Sequence, residues 1–595
     1  MYGYMALHWD AADDLGAQAA IAIGRRIGTA AKPWELAFSD AGLLVFQRGA
    51  NRRTHGAIGL ANAGTVLGTI FRNRSGADAE RELAFSEQVA WDIQSTSGKY
   101  LVEHYWGRYV AFSRGADGRL RVIRDPTGAL PCFYAHTDHV TVFFSNLEDY
   151  LELTAAQLTI DWEHVGSSLQ YMQMASRQTG FKEISQVVAG ECWMQASESK
   201  PVFLWDPVTI ATGAGMEDSV AARAELRSAV EYCVNAWASC YRRILHSLSG
   251  GLDSSIVLAC LNSSPTQPQV TCFTAYTAAS EGDEREFARM AAARANCPLV
   301  ELPHQPPTDL SSVFPEERLP SPAMVSLRLA VEEGRAGIAH ANDSEAIFSG
   351  QGGDHLFQRR RDFAIAAEFL HRHGLARGFG RVLAESSRML RKPVYRVLLQ
   401  AARLRLFPHR VDPYVTQKAP TFLRAGVNTA VPPHPWVERA SQLPRAMLHR
   451  IFDIVDCQHF HAYTCDYADL VHPLISQPLM ECCLRIPSYV LASGGTDRGL
   501  ARQAFSEKIP AAVAARTTKG GVDAYWNELA IKNLKFLRPF LLDGHLEAAG
   551  VIDRGEMSNL LTEEQLIRAA QPLAPILSCM MVEGWLRTAA QSPSL

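Results

Sequence analysis

The sequence predicts a two-domain α/β protein, and three changes of pattern along its 595 residues support this. The first two hundred residues are rich in short β-branched and aromatic runs, which Gly, Asn and Asp turns separate. From about residue 218, short apolar runs alternate with helical periodicity, which is typical of a parallel sheet with crossover helices. Beyond residue 360 the pattern is mostly helical.

In the first half, β-branched or aromatic runs predict strands at residues 43–47, 65–71, 109–113, 120–124 and 140–144. Apolar residues at helical spacing predict helices near residues 80–94 and 162–174. Strands and helices interleaved in this way indicate a layered domain.

A loose segment at residues 211–216 links this half to the next. Helical periodicity then predicts a helix over residues 220–241 and another over residues 284–295. Short apolar runs predict buried strands at residues 270–274, 299–302 and 346–348.

Composition and charge are those of an ordinary globular protein, with 47% hydrophobic residues, 20% charged residues and a net charge of −4. No basic stripe runs along the whole chain, so we expect no nucleic-acid partner. The arginine-rich stretch over residues 371–410 could hold an acidic peptide, but we interpret it as a solvated helix face.

The twelve cysteines are scattered, and only Cys482 and Cys483 are adjacent, which fits free thiols in a reducing compartment. The N-terminus lacks the basic start and apolar core of a signal peptide. No apolar run is long enough to span a bilayer. We therefore expect a cytoplasmic protein without a membrane partner.

A turn with the sequence S-G-G-L-D-S at residues 249–254 follows a short apolar run and precedes a helical segment. Adjacent glycines let the backbone approach a ligand, and a helix beginning near Asp253 would direct free N–H groups at an anion. Asp253 would repel a bare phosphate, but it suits a Mg²⁺ ion held between carboxylate and phosphate oxygens. The turn therefore predicts a Mg-nucleotide site. The structural alternative is a plain Ser/Gly turn.

A second glycine-rich turn, S-G-Q-G-G-D at residues 349–354, follows another apolar run. In open α/β sheets, ligands bind at the carboxyl ends of strands. Two such turns from one sheet would place Asp253 and Asp354 on either side of one Mg-triphosphate. The alternative is a turn with a structural role only.

Together the two turns resemble those of the asparagine synthetase family, whose members are PP-loop ATP pyrophosphatases. Further segments resemble the family's landmarks in the same order, at residues 282–288, 473–480, 497–505, 509–510 and 516–521. In the first half, G-R-Y-V-A-F at residues 107–112 and R-D-P-T-G at residues 124–128 resemble landmarks of the family's glutaminase domain. The likeness covers nearly the whole chain.

The resemblance implies an Ntn-hydrolase-like αββα domain over residues 1–208 and a PP-loop ATPase domain over residues 216–595, with a parallel sheet and a helical extension. Glutamine-dependent members begin Met-Cys-Gly and use the cysteine as a nucleophile, whereas this chain begins Met1-Tyr2-Gly3. A phenol is a poor nucleophile towards an amide. The family's glutamine-holding segments are not recognisable between residues 43 and 107. We therefore expect the N-terminal domain to keep the fold without glutaminase activity.

Members with a disabled glutaminase domain join a carboxylate to an amine of the same substrate, as β-lactam synthetases and lasso peptide cyclases do. Where β-lactam synthetases carry a tyrosine for base catalysis, this chain has Gln351, which cannot act as a base. A peptide α-amine, with a pKa of about 8, needs less assistance than a more basic amine. The second turn ends G-G-D-H-L-F at residues 352–357, which resembles the glycine-rich turn of the lasso peptide cyclases, and the chain is therefore similar to them. The alternatives are a β-lactam synthetase-like small-molecule amide ligase, an asparagine synthetase, or a non-catalytic nucleotide-binding paralogue.

The resemblance also implies ATP and Mg²⁺ as cofactors and assigns roles to residues. Asp253 and Asp354 would hold Mg²⁺, and Lys519 would stabilise the charge that develops in both half-reactions. The remaining nucleotide-binding residues would be Ser247, Ser249, Gly250, Gly251, Ser254, Thr274, Ser349, Gly350 and Arg498. Taken alone, Lys519 resembles a surface lysine and Arg498 a helix-end cap. The implied partners are a precursor peptide, a leader peptidase and a leader-recognition protein.

Overall fold

The computed structural model of the chain describes residues 2–51, 53–73, 81–137, 139–171, 176–194, 201–277, 283–304, 309–310, 313–314, 317–322, 330–407, 420–427, 434–462, 465–518, 523–568 and 574–590. Its strands are β1 (Gly3–His8), β2 (Trp34–Asp40), β3 (Leu43–Arg48), β4 (Gly56–Gly59), β5 (Gly64–Arg72), β6 (Tyr105–Arg114), β7 (Leu120–Arg124), β8 (Phe133–His136), β9 (Thr141–Phe144), β10 (Ile184–Gln186), β11 (Glu191–Met194), β12 (Val202–Phe203), β13 (Arg243–Ser247), β14 (Gln269–Tyr276), β15 (Leu299–Pro303), β16 (Ala346–Phe348) and β17 (Asp469–Val471).

The helices up to residue 406 are α1 (Asp14–Thr29), α2 (Glu87–Ser95), α3 (Lys99–His104), α4 (Leu147–Thr154), α5 (Trp162–Tyr171), α6 (Pro207–Thr212), α7 (Ser219–Ala238), α8 (Leu252–Asn262), α9 (Arg285–Ala295), α10 (Ala330–Ala341), α11 (Gly353–Leu356), α12 (Ala364–His373), α13 (Phe379–Leu390) and α14 (Val394–Leu406). Those that follow are α15 (Pro435–Ala440), α16 (Arg445–Cys457), α17 (Gln477–Arg485), α18 (Ser488–Leu491), α19 (Gly499–Phe505), α20 (Ala511–Ala515), α21 (Asp523–Lys532), α22 (Leu534–Leu542), α23 (His545–Ala548), α24 (Arg554–Leu560), α25 (Glu563–Arg568) and α26 (Ala574–Ala590).

Two antiparallel sheets form the first half of the chain, with strand orders β10-β8-β9-β1-β3-β2 and β12-β11-β7-β6-β5-β4. Their facing sides enclose one apolar core that includes Tyr4 and Val45 from the first sheet and Leu67 and Phe112 from the second. Helices α1, α4 and α5 pack on the outer side of the first sheet, and α2 and α3 on that of the second. The order of layers is therefore helix, sheet, sheet, helix.

A parallel sheet of strand order β15-β14-β13-β16-β17 lies in the second half. From β13 the chain proceeds outward through β14 to β15, and then returns to the other side of β13 with β16 and β17. The strand order therefore reverses between β13 and β16. In open parallel sheets the crevice for ligands lies beyond the carboxyl ends of the two strands at such a point.

The helices at the two ends of the chain share one apolar core. It contains Ile27 of α1 and Val165 of α5 together with Leu541 of α22 and Trp585 of α26. The Trp585 ring lies 5.2 Å from that of Phe181, and its Nε1–H donates to the carbonyl oxygen of Leu319 at 2.7 Å. The first and last parts of the sequence are thus packed together.

The mixed α/β class with a parallel sheet is confirmed, and so are the predicted strands, with changes of up to four residues at their ends. The helix predicted over residues 220–241 ends earlier, at Ala238. The helix predicted over residues 80–94 begins later, at Glu87, because the Ser86 hydroxyl caps it by accepting the N–H of Val89. Residues 172–174 of another predicted helix lie outside the described residues. The domain boundary between residues 208 and 216 stays a prediction. Among the described helices, none has the length and apolar character needed to cross a bilayer.

Candidate functional site

The first glycine turn connects the carboxyl end of β13 to the start of α8. Gly250 has a φ of +70°, and a Cβ there would lie 2.7 Å from the carbonyl oxygen of Glu284. Both the backbone conformation and the close neighbour therefore require glycine. Gly251 occupies the N-cap of α8 and has no side chain to cap the helix. The first N–H groups of α8 are thus directed at the crevice, which is suited to anions.

Serine hydroxyls hold the shape of this turn. Ser249 Oγ lies 3.2 Å from Ser254 Oγ and accepts the N–H of Gly251 at 3.3 Å. The Ser255 hydroxyl donates to the carbonyl oxygen of Gly251 at 2.8 Å. Ser249 is exposed to solvent, whereas Ser254 and Ser255 are buried. Ser249 is therefore the hydroxyl that a ligand in the crevice would meet first.

The second glycine turn packs directly on the first. A Cβ on Gly353 would lie 2.7 Å from Oδ1 of Asp253, and a Cβ on Gly350 would lie 2.8 Å from Cα of Ser254. Real Cβ atoms do not approach other atoms so closely, so these two glycines allow the turns to touch. The turns that the sequence places about a hundred residues apart thus form one surface beyond β13 and β16.

The carboxylates of Asp253 and Asp354 converge on one guanidinium nitrogen. Arg498 Nη1 lies 2.8 Å from Oδ2 of Asp253 and 2.6 Å from Oδ1 of Asp354. Burial opposes the charge of Arg498, but the two carboxylates and Asp497 raise its pKa above the ordinary value. These distances bring Asp253 and Asp354 together with Arg498 between them, and the metal-binding role of the two carboxylates stays a prediction.

A buried carboxylate holds Arg498 in place from the other side. Asp497 accepts hydrogen bonds from Arg361 Nη2 at 2.5 Å and from Arg502 Nη2 at 2.9 Å, as well as from Arg498 Nε at 3.3 Å. Burial opposes the ionised form of Asp497, but these arginines lower its pKa. Arg498 itself has a φ of +53°, a left-handed conformation that is uncommon for arginine. The backbone thus directs this side chain into the site.

The two converging carboxylates fit a Mg²⁺ ion, which proteins hold through one or two carboxylates, with substrate phosphates and waters completing the octahedron. Among the described residues, no group of three or more His, Cys, Asp or Glu side chains forms a metal site by itself. Such an ion would therefore depend on phosphate oxygens and water for its remaining ligands, and Arg498 would have to move aside.

The other predicted nucleotide-binding residues lie around the same strand ends. Ser247 is the last residue of β13, and Thr274 is buried in the neighbouring β14. Ser349 is buried directly after β16, where its hydroxyl contacts Nδ1 of His472 at 2.7 Å. The contact between Ser349 and His472 was not predicted from the sequence, although His472 directly precedes the segment at residues 473–480 that resembles the family.

Lys519 lies outside the described residues. Arg516, three positions earlier, is placed: its Nη2 lies 2.6 Å from Oε1 of Glu284, and its guanidinium lies 4.3 Å from the ring centroid of Phe287. Both partners border the first turn, because Gly250 packs against Glu284 and Phe287. These two contacts of Arg516 therefore hold the segment that precedes Lys519 beside that turn.

At the other end of the chain, Tyr2 borders a cavity of about 100 Å³. Its ring stacks on His55 at 5.1 Å between centroids, and its hydroxyl donates to Oε1 of Gln47 at 3.3 Å. Burial raises the pKa of the Tyr2 phenol well above its ordinary value. The phenol is therefore neutral and a weak nucleophile. The cavity also borders Asp469 and Leu470 of β17 and reaches His472.

A family model described as asparagine synthase matches residues 225–587, which is more than half of the chain. The matched range begins within α7 and ends within α26, so it includes both glycine turns and Arg498. A search of curated proteins finds no match. The match and the site agree on one kind of domain, an ATP-dependent amide ligase, and the chain therefore belongs to the asparagine synthase family.

Proposed function

We propose that this protein is an ATP-dependent lasso peptide cyclase, which joins an Asp or Glu side chain of a precursor peptide to the peptide's own N-terminal amine. The observation that carries the proposal is the combination of a nucleotide-type site, with Asp253 and Asp354 converging, and a neutral tyrosine at position 2. An enzyme of this kind can activate a carboxylate, and Tyr2, at the position where glutamine-dependent members carry their cysteine, cannot release ammonia from glutamine.

The layered structure of the first half of the chain supports a related proposal about the type of domain that it forms. Helices cover both outer sides of the two packed antiparallel sheets, as expected for an Ntn-hydrolase-like αββα domain. We take residues 1–208 as such a domain without glutaminase activity and residues 216–595 as the cyclase domain. In that division, Tyr2 begins the first domain in the position where glutamine-dependent members carry their cysteine.

The first half-reaction is adenylation of the acid. A carboxylate oxygen of the peptide attacks the α-phosphorus of ATP, the bond to the β-phosphate oxygen breaks, and pyrophosphate leaves. Ser249, Gly250, Gly251 and Ser254 would contact the pyrophosphate through hydroxyl and backbone N–H groups, and Ser247, Thr274, Ser349 and Gly350 would line the remainder of the nucleotide site. Mg²⁺, held by Asp253 and Asp354, would neutralise charge on the phosphates. Arg498, displaced from the carboxylates, would turn to the leaving pyrophosphate.

The second half-reaction forms the amide. The neutral N-terminal amine attacks the acyl carbon, AMP leaves with the electron pair of the broken C–O bond, and the new amide nitrogen releases a proton to solvent. Gln351 is exposed on the second turn and cannot accept that proton. An α-amine with a pKa of about 8 is partly neutral without help. Holding it beside the acyl-adenylate supplies a large effective concentration, and Lys519 would stabilise the developing charge.

The proposed partners follow from the proposed substrate. The precursor peptide must lose its leader before its amine is free, so we propose a leader peptidase and a leader-recognition protein as partners. We also propose that the reaction takes place in the cytoplasm, where ATP is supplied.

Mass spectrometry tests the proposal. A short precursor peptide encoded near this gene is incubated with its leader peptidase, ATP, Mg²⁺ and this protein, and we expect the core peptide to lose the mass of one water. Asp253→Asn should abolish both the product and ATP–pyrophosphate exchange, and Lys519→Ala should abolish the product with the fold intact. Exchange that depends on a small amino acid, with no change in any peptide, would favour the small-molecule ligase instead. Glutaminase activity of the purified protein would contradict the interpretation of Tyr2.

A further inference from the structure

Helix α14 turns an apolar face towards solvent. Tyr395, Leu399 and Leu406 are 61%, 64% and 69% exposed, although residues of these types are usually buried. Their spacing of four and seven residues places them in one line along the helix. The opposite side of α14 carries Val397 and Ala401, which are completely buried against the rest of the protein. The helix therefore has two apolar sides, and only one of them packs against the rest of the protein.

The exposed line is extended at both ends of the helix. Val394 lies at its beginning, Leu398 beside it, and Phe407 just after its end, and all three are exposed. Single exposed apolar residues are common on protein surfaces, but a contiguous set of this kind marks an interaction surface.

Positive charge surrounds this surface. Residues 371–407 contain nine Lys or Arg residues and a single acidic residue, Glu385, although the whole chain has a net charge of −4. Arg396 and Arg403 flank the apolar line on one side and Arg405 on the other, and all three are exposed. In the part of the chain that the structure describes, none of these three arginines forms an ion pair. The surface is thus both apolar and strongly basic.

We propose that the exposed face of α14 binds peripherally to an anionic membrane surface. Arginines on both flanks of an apolar line can bind lipid phosphates while the line enters the boundary between headgroups and acyl chains. Tyr395, an aromatic residue with a polar hydroxyl, suits that boundary. A second copy of this chain is a poorer occupant, because it would bring a second surface of the same charge.

The arginine-rich stretch is more than a solvated helix face, because α14 exposes leucines as well as arginines. The expectation of no membrane partner rested on the absence of a spanning segment, and a peripheral helix needs no such segment. The inference does not depend on the proposed ligase activity.

Sedimentation with vesicles tests the inference. The full chain is mixed with vesicles of equimolar phosphatidylglycerol and phosphatidylcholine, and with vesicles of phosphatidylcholine alone. We expect binding to the anionic vesicles at least about tenfold tighter than to the neutral ones, because each basic residue adds attraction to the negative surface. The double variant Leu399→Glu, Leu406→Glu should lose this binding. Arg396→Gln with Arg403→Gln should weaken it and reduce its dependence on salt.

Ile567→Glu is the matched control for the single variant Leu399→Glu, which should already weaken binding, since Ile567 is 66% exposed on another helix, α25, and each of these changes adds one negative charge. The control variant should bind the vesicles as the unaltered protein does. All variants should keep their circular dichroism spectra and melting temperatures, because the altered side chains are exposed. Failure of the unaltered protein to bind, or equal binding by the Leu399→Glu, Leu406→Glu variant, overturns the inference. A dimer that this double variant dissociates, without vesicle binding, would identify the face as a protein interface and would also overturn it.

Discussion

The hydroxyl of Ser349 lies 2.7 Å from Nδ1 of His472, and the hydrogen bond between them has a defined direction. Nε2 of the same ring lies 3.2 Å from the carbonyl oxygen of Phe460, which can only accept, so Nε2 carries the proton. Burial lowers the pKa of His472 to about 4, so the ring is neutral and Nδ1 is an acceptor. Ser349 therefore donates to His472, and its oxygen accepts the N–H of Gln351 at 3.2 Å.

Replacing His472 tests whether this contact positions the second turn. His472→Leu leaves the Ser349 hydroxyl buried without an acceptor, which costs about 1–3 kcal/mol. Because Ser349 begins the turn that carries Asp354, we expect the KM for ATP in pyrophosphate exchange to rise by about tenfold, as a loss near 1.4 kcal/mol implies. In His472→Asn the side-chain oxygen can take the place of Nδ1, and the KM should stay near its original value. Equal losses in both variants would show that His472 serves only packing.

Without Arg498, the two carboxylates that it contacts should be able to bind a divalent metal ion in the absence of nucleotide. Arg498→Met leaves Asp253 and Asp354 close together without the cation between them, and breaking a buried ion pair of this kind costs about 3–5 kcal/mol. We expect Mn²⁺ alone, without nucleotide, to raise the melting temperature of this variant and to leave that of the unaltered protein unchanged.

Arg359→Met is the control, because Arg359 Nη1 also contacts Asp354, at 2.8 Å, but its side chain is 44% exposed. It should melt near the unaltered protein and show no response to Mn²⁺, because Arg498 stays in place. A Mn²⁺ response in neither variant would argue against a metal site at these carboxylates.

A methyl group at position 353 should separate the two glycine turns. Gly353→Ala places a Cβ within 2.7 Å of Asp253 Oδ1, so the turns must move apart. We expect nucleotide affinity, measured by calorimetry, to fall by at least about tenfold, which corresponds to roughly 1.4 kcal/mol. Gly380→Ala, in helix α13 where nothing lies within 4 Å, should leave affinity unchanged and raise stability by about 0.5–1 kcal/mol. Similar affinity in both variants would contradict the described contact between the turns.

Buried histidines should make the protein sensitive to mild acid. His434 caps α15 by accepting the N–H of Trp436 at its Nδ1, 3.3 Å away, and burial lowers its pKa from 6.5 to about 3. Below pH 6.5 the unfolded chain binds a proton that the folded protein does not, so stability falls as the pH falls from that value towards 3.

His434→Asn keeps an acceptor at the cap but does not titrate. Between neutral pH and pH of about 4.5 this variant should lose roughly 2 kcal/mol less of its free energy of unfolding than the unaltered protein. Thermal denaturation across that range measures the difference. His246 and His472, each with a pKa lowered by burial to about 4, should also contribute to the loss of stability at acidic pH. Part of the decrease in the free energy of unfolding should therefore remain in both proteins. Parallel curves would exclude His434 as a source of acid sensitivity.

The sequence predicted the parts of the site that are local. Each glycine turn is contiguous in the sequence, and its glycines and serines follow from what a turn beside a phosphate needs. The expectation that Asp253 and Asp354 meet needed only the rule that ligands bind at the carboxyl ends of parallel strands. The order of those strands, with β13 beside β16, has no local signal.

The remaining contacts depend on the folded chain. Arg498 reaches the carboxylates because its backbone is left-handed, and arginine gives no indication of that conformation in a sequence. Ser349 and His472 are 123 residues apart. Strand β1 has no clear strand pattern in the sequence, although all six of its residues are buried, because it contains glycine and histidine and no β-branched residue. Strands of two or three residues, such as β12 and β17, carry too few residues for a periodic pattern.

The core shared by the first and last helices has a consequence for how the protein is made. A ribosome releases α1, α4 and α5 well before it synthesises α22 and α26, which cover their apolar sides. During that interval Ile27 and Val165 lack their final partners, so the nascent chain exposes apolar surface that is prone to aggregation. Loss of the last helix, with Trp585, would leave this surface uncovered for the life of the protein. Premature termination near the end of the reading frame should therefore yield aggregates, even though both glycine turns would be complete.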